Sequence, residues 1–301
     1  GLSPQGTVTM ISYDMPLYRP PSEGNNLIIQ ATLGCHFNQC SFCSMYKQKR
    51  FTIRPLETVF AEITEAARAW PDAQRVFLAD GDALTLPTDH LLAILEKLAE
   101  AFPRLSRVSC YANPSDILRK QETELARLRE HKLNLLYVGI ESGSGTILKK
   151  ITKGASPRSI QAALEKAHNC RLKISATVIL GLGGKSRSEE HIQGTIELLN
   201  RAPVTYLSTL QLFLETGERQ RFLDKFGEPF SPQDDQAILR EQRRLVAGIE
   251  PPNPIIFRSN HASNALALAG NLPRDRERLL ARIDQALTYG EQLRPRQLRG
   301  L

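Results

Sequence analysis

The sequence predicts an α/β fold of six consecutive βα units arranged around a parallel sheet. Three observations carry that prediction. Short apolar runs alternate with segments of helical period, and parallel strands require crossover helices of this kind. The cysteines, glycines and acidic residues of chemical interest fall at or just beyond the ends of the apolar runs, the functional edge of parallel α/β folds. The 301 residues are 41% hydrophobic and 24% charged, enough to bury one barrel-sized core or two smaller ones.

The strand runs are Asn26–Leu33, Arg75–Ala79, Arg107–Tyr111, Leu133–Ile140, Lys173–Gly181 and Thr205–Phe213. Between the first two, Val59, Phe60, Ile63, Ala67 and Trp70 recur at helical steps. Leu91, Leu92, Leu95 and Leu98 mark a second helix. Ile117, Leu118, Leu125 and Leu128 mark a third, broken near Gln121. Ser159–Asn169 and Glu189–Leu199 complete the series, with Ser156-Pro157 and Ser188 as expected helix starts, because Ser caps free N–H groups and Pro suits the first turn. A partial (β/α)6 barrel and an open doubly wound sheet both fit this order. After the sixth run come an amphipathic helix over Asp234–Ile249, a Pro-rich turn, the short run Ile255–Phe257 and a final helix over Asp275–Tyr289. The organisation expected is an N-terminal extension over 1–25, a core over 26–215 and a C-terminal extension over 216–301.

Lys and Arg exceed Asp and Glu by seven (39 against 32), a balance that permits anionic or nucleic-acid partners without naming one. The basic stretch Arg240–Arg244 is interleaved with Glu241 and Gln242 and reads as a solvated helix face. No apolar run reaches bilayer-spanning length, and the N-terminus lacks the order of a signal peptide. Of five cysteines, three crowd into nine residues, a poor disulfide framework and a good metal site. A reducing, cytoplasmic setting is the expectation. Cys110 and Cys170, in strand and helix contexts, read as core residues.

Gly34-Cys35-His36-Phe37-Asn38-Gln39-Cys40-Ser41-Phe42-Cys43 is the most informative stretch. Three thiolates on one loop suit three irons of a cubane, leaving the fourth iron open to a ligand. A closed structural site would want a fourth protein ligand, which His36 could supply to zinc. The chain has no second metal half-site of the usual spacing, which favours iron–sulfur over zinc.

This loop resembles the signature of the radical S-adenosylmethionine (SAM) superfamily, in which three cysteines after the first strand hold a [4Fe–4S] cluster. The common spacing there is C-x3-C-x2-C, and here it is C-x4-C-x2-C. His36 stands where the common pattern would place a cysteine, and the softer thiolate of Cys35 suits the cluster better. Phe42 matches an aromatic that family members place near the adenine. Asp80-Gly81-Asp82-Ala83 resembles the turn that receives the methionyl amino group of SAM. Gly139-Ile140-Glu141-Ser142-Gly143 resembles a stretch whose carboxylate accepts from ribose hydroxyls or pairs with a cation. Val178–Gly184, with Gly181 at its turn, resembles the segment flanking the adenine.

The resemblance, over about residues 26–215, implies a partial (β/α)6 TIM-type barrel. It implies Cys35, Cys40 and Cys43 as cluster ligands, and Phe42, Gly81, Asp82, Glu141 and Gly181 as SAM-binding positions. It further implies reductive cleavage of SAM under anaerobic conditions, an external one-electron donor of flavodoxin or ferredoxin type, and radical chemistry on a substrate, expected to be a small molecule. A tRNA-modifying member and a non-catalytic iron–sulfur sensor are the rival readings. Apart from the resemblance, Arg258, Asn260 and His261 follow a short strand and would either close the barrel mouth over a substrate or form a helix cap and surface loop.

Overall fold

The computed structural model describes residues 26–33, 52–259 and 266–290. Cys35, His36, Cys40, Phe42, Cys43, Asn260 and His261 lie outside the described residues. The chain forms two compact units, with one boundary after Val138 and residues 169–173 belonging to the first unit.

In the first unit the strands are β1 (Leu27–Gln30), β4 (Arg75–Ala79), β5 (Arg107–Tyr111) and β6 (Leu133–Glu141), the last three residues of β6 belonging to the second unit. They lie in the order β1-β4-β5-β6, and every pairing is parallel. A small antiparallel pair, β2 (Thr32–Leu33) with β3 (Thr52–Ile53), follows β1. The crossovers are α1 (Leu56–Ala69), α2 (Thr88–Ala101), α3 (Pro114–Arg119) and α4 (Glu122–Glu130). Helix α1 buries Val59, Ile63 and Ala66, a stripe at steps of four and three. The expected break near Gln121 is real: α3 ends at Arg119, Lys120 is extended, and the Gln121 N–H donates to Glu124 at 3.0 Å to start α4.

The second unit holds α5 (Gly145–Lys150), α6 (Pro157–Asn169) and β7 (Lys173–Leu180) apart from Asn169 and Lys173, α7 (Ser188–Arg201) and β8 (Tyr206–Gln211). It continues with α8 (Thr216–Phe226), α9 (Asp235–Gly248), β9 (Ile255–Arg258), β10 (Ala269–Leu272) and α10 (Arg276–Tyr289). Strands β7, β8 and β9 pair in parallel, and β10 closes the edge antiparallel to β9. Alternation decides which residues meet the helices. Ala176, Val178, Leu207, Thr209 and Phe257 are wholly buried, and the Gln242 amide of α9 reaches Thr209 Oγ1 at 2.8 Å. Their neighbours Thr177 and Ser208 are partly accessible, and Arg258 is exposed.

The α/β class and the mostly parallel sheet are as the sequence predicts. Four local expectations are corrected. Ser188 does not cap α7: Arg187 occupies the cap position, and the Ser188 hydroxyl donates to Glu241 at 2.5 Å. The Arg240–Arg244 stretch is not a wholly solvated face, because Glu241 and Gln242 turn inward and are buried. Cys110 is buried as expected, whereas Cys170 is only half-buried, with its thiol 3.8 Å from the Glu122 carbonyl. Helices α5 and α8 and strand β10 add to the elements read from periodicity.

Candidate functional site at the strand ends

In the first unit, the turn after β4 begins with Asp80, fully buried. The Gln30 amide donates to Asp80 at 3.2 Å, and the Asp80 N–H donates to the Thr32 hydroxyl at 3.2 Å. Gly81 follows, partly accessible. Asp82 does not present its carboxyl to solvent: it is fully buried beside Asp116 of α3. Burial, followed by the hydrogen bond and the charge of Asp116, pushes its pKa up to about 9, so Asp82 holds a proton at neutral pH. A neutral acid is a poor partner for an ammonium group, which leaves the backbone of the turn as the available acceptors. Thr85 donates to Asp116 at 3.4 Å. The Lys120 ammonium, donating to the Leu86 carbonyl at 2.7 Å, has its pKa lowered by burial. Burial and the nearby Asp82 and Asp116 also push the Cys110 thiol far up, which makes it inert.

In the second unit, Glu141 ends β6 with φ +67°, a left-handed conformation uncommon outside glycine. Its carboxylate pairs with Lys153 at 3.5 Å, the cation-pairing alternative that the sequence left open. Burial raises the pKa of Glu141, and the Lys153 charge opposes the rise. A Cβ on Gly139 would stand 2.3 Å from Glu141 Oε1, so the carboxylate occupies space that only glycine leaves free.

The next residue, Ser142, is fully buried. Its hydroxyl lies 2.7 Å from His191 Nδ1, and His191 Nε2 lies 2.8 Å from the Ile179 carbonyl. A carbonyl only accepts, so Nε2 carries the hydrogen and Nδ1 accepts from Ser142. The Ser142 oxygen accepts in turn from the Ser144 N–H at 3.0 Å. Thr195, one turn after His191, accepts the Gly143 N–H at 2.8 Å. Helix α7 comes this close because Gly143 and Gly194 face each other: a Cβ on Gly143 would meet the Gly194 carbonyl oxygen at 2.3 Å.

Beyond β7, Gly181 adopts φ +83°. Its N–H donates 2.8 Å to Glu241 Oε1 of α9. The other Glu241 oxygen accepts from Ser188 and from the Gln233 amide, each at 2.5 Å. Glu241 thus ties the β7 turn to the C-terminal helices.

Of the positions the sequence singled out, the structure gives Gly81 and Asp82 to the first unit, and Glu141 and Gly181 to the second. Lys153, His191, Asp116 and Glu241 were not legible in the motifs. Among the described residues no group of three or more His, Cys, Asp or Glu could hold a metal. No described helix is long and apolar enough to cross a membrane.

Acidic and glycine-bearing turns at the carboxyl ends of parallel strands stand where α/β proteins carry their sites. Residues 29–199 match the radical SAM superfamily, and the chain belongs to that family. It is 27% identical over 165 residues to a putative methylthiotransferase of Methanocaldococcus jannaschii, covering 52% of this chain and 35% of that protein. It is 26% identical over 199 residues to an uncharacterized methyltransferase of Pyrococcus horikoshii, covering 65% and 41%. The chain thus spans well under half the length of these two relatives. Among solved structures, methylornithine synthase superposes with a TM-score of 0.51 at 16% identity, covering 86% of this chain and 81% of that one. That likeness shows the fold, the partial TIM-type barrel of the family. The chain is accordingly an enzyme of a family that uses a [4Fe–4S] cluster and SAM.

Proposed function

We propose that the chain cleaves SAM reductively and starts radical chemistry on a small-molecule substrate, with the cluster held by Cys35, Cys40 and Cys43. The family match across residues 29–199, which takes in the cysteine loop and the three strand-end turns that carry Gly81 and Asp82, Glu141 and Gly181, carries this reading. The donor set suits the group: three thiolates are a fit for three irons of a cubane and leave one open. Bound there, cluster and SAM together would supply a one-electron cleavage of a C–S bond, commonly giving a 5′-deoxyadenosyl radical.

The chain's own residues would bind and orient. Glu141, held by Lys153, offers its second carboxylate oxygen to ribose hydroxyls. The Gly181 turn, held by Glu241, offers backbone to the adenine, the part the family resemblance also assigns to Phe42. Gly81 brings backbone acceptors to the amino group, while protonated Asp82 stays buried beside Asp116. An external flavodoxin- or ferredoxin-type donor would deliver the electron.

The test is anaerobic purification followed by reduction with dithionite in the presence of SAM. About four irons and four sulfides per chain, and SAM consumed only after reduction, are expected. Stoichiometric zinc without labile sulfide, or a cluster that leaves SAM intact, would overturn the reading, the second result pointing to a sensor.

A further inference from the structure

We propose that the face of β7, β8 and β9 turned away from α9 binds an oxyanion, a carboxylate or phosphate carried by the substrate. The inference rests on the reading above for what the substrate is, but on separate residues for the site. In register, Thr177 of β7 pairs with Ser208 of β8, and Ser208 pairs with Arg258 of β9. Residues in register across parallel strands share a face, so two hydroxyls and a guanidinium stand in one row. With strands about 4.8 Å apart, the row is about 10 Å long.

The face is identified by its opposite. Thr209 and Ser259, one residue on from Ser208 and Arg258, are buried and hydrogen-bonded to Gln242 of α9. Alternation therefore sends Thr177, Ser208 and Arg258 the other way, and all three retain solvent access. One step down the strands, Ser175 pairs with Tyr206 and Tyr206 with Ile256, which adds two more hydroxyls and an apolar floor.

Among the described residues these groups are uncommitted. Among the described residues Arg258 has no carboxylate partner, and its guanidinium donates only to the Phe257 carbonyl at 3.2 Å. The Thr177 and Ser208 hydroxyls hold no side-chain hydrogen bond among the described residues. Convergent donors on an open sheet face, without an internal acceptor, suit an external one, and a guanidinium favours planar or tetrahedral oxyanions. Thr177 lies four residues before Gly181, about 13 Å along the strand, which leaves room for a substrate body between the oxyanion and the SAM-binding turn.

The test uses the full chain with its cluster intact and oxidised, in excess SAM, so that SAM is neither consumed nor displaced. Inorganic phosphate and carbon-13-labelled acetate are titrated as probes and followed by NMR line-broadening. Saturable binding of at least one probe is expected. Arg258→Gln should weaken it about tenfold or more and Ser208→Ala severalfold, as loss of charge-assisted and neutral donors predicts. Arg243→Gln, on α9 and paired with Asp284, should leave it unchanged. Preference for phosphate would mark a phosphorylated substrate, and preference for acetate a carboxylate-bearing one. Absence of saturable binding, or binding that survives Arg258→Gln, overturns the proposal. Iron content and SAM consumption after reduction, read on the same samples, distinguish this failure from failure of the SAM reading.

Discussion

Ser142 donates its hydroxyl hydrogen to His191, and through that imidazole the end of β6 is bonded to the Ile179 carbonyl of β7. The two turns proposed to flank SAM in the second unit are thereby held in one hydrogen-bonded line. The line requires a neutral imidazole. Burial, the dominant influence, lowers the pKa of His191, against the opposing charge of Glu241.

The sign of the pH dependence follows. The unfolded chain takes up this proton near its ordinary pKa of 6.5, and the folded chain does so only at lower pH. In that window the unfolded state binds more protons, so stability is present above about pH 6.5 and is lost as pH falls below it. Thermal denaturation from pH 7.5 down to 5.5 should show the loss, and His191→Gln should flatten it. The same variant should cost about 1–3 kcal/mol near pH 7.5. An unchanged slope would mean that His191 takes up its proton alike in the folded and the unfolded chain.

Asp82 predicts the opposite slope. Its folded pKa, raised to about 9, exceeds the ordinary 3.8, so its contribution is fully present below about pH 3.8 and is lost as pH rises through 9. Asp82→Asn keeps the shape and removes the charge. The variant should therefore gain melting temperature over the parent at pH 9 and match it near pH 4. It should also bind SAM like the parent, since the carboxyl is turned away; loss of SAM affinity would restore Asp82 as a direct ligand.

Glu141 should matter for SAM but not for iron. Glu141→Ala removes one charge-assisted contact, worth roughly 1.5–3 kcal/mol or about ten- to a hundredfold in Kd, with iron content near that of the parent. Gly139→Ala should mimic it, because the added methyl would displace the carboxylate. Equilibrium dialysis with labelled SAM measures both, and parental affinity in both variants would remove Glu141 from the site.

For the cluster, Cys35→Ala, Cys40→Ala and Cys43→Ala should each lose the four-iron species and SAM cleavage. His36→Ala should keep both. A histidine ligand raises cluster potentials in Rieske-type centres, which would oppose reduction of a sulfonium. Iron and sulfide analysis decides the matter: a cluster kept in Cys35→Ala and lost in His36→Ala would reverse the ligand assignment.

The strands were legible because each is a compact apolar run bounded by turn residues, and all six predicted runs appear within a few residues of their expected limits. What escaped was set by tertiary partners. Strand β10 carries Ala269, Gly270 and Asn271, weak strand formers that are extended because β9 pairs with them. Helix α8 buries only Phe222 and Phe226 among many charges, too thin a stripe to be read. At the site, the motifs marked Glu141 and Gly181 but not their supports. Lys153 and Glu241 act across gaps of 12 and 60 residues that no local spacing rule encodes. Glu241 sits in a run of arginines, where a carboxylate is ordinarily solvated.

Glu241 also sets how far the enzyme can be pared down. The segment that carries the family's motifs ends at residue 199, and the acceptor for the Gly181 amide comes from α9, some forty residues later. A fragment trimmed to the motif-bearing stretch would strip that amide and the Ser188 hydroxyl of their shared acceptor, and the turn would lose the contact that fixes it. Helix α9 is thus a component of the working end of β7, and a chimera that borrows the motifs must borrow this helix with them.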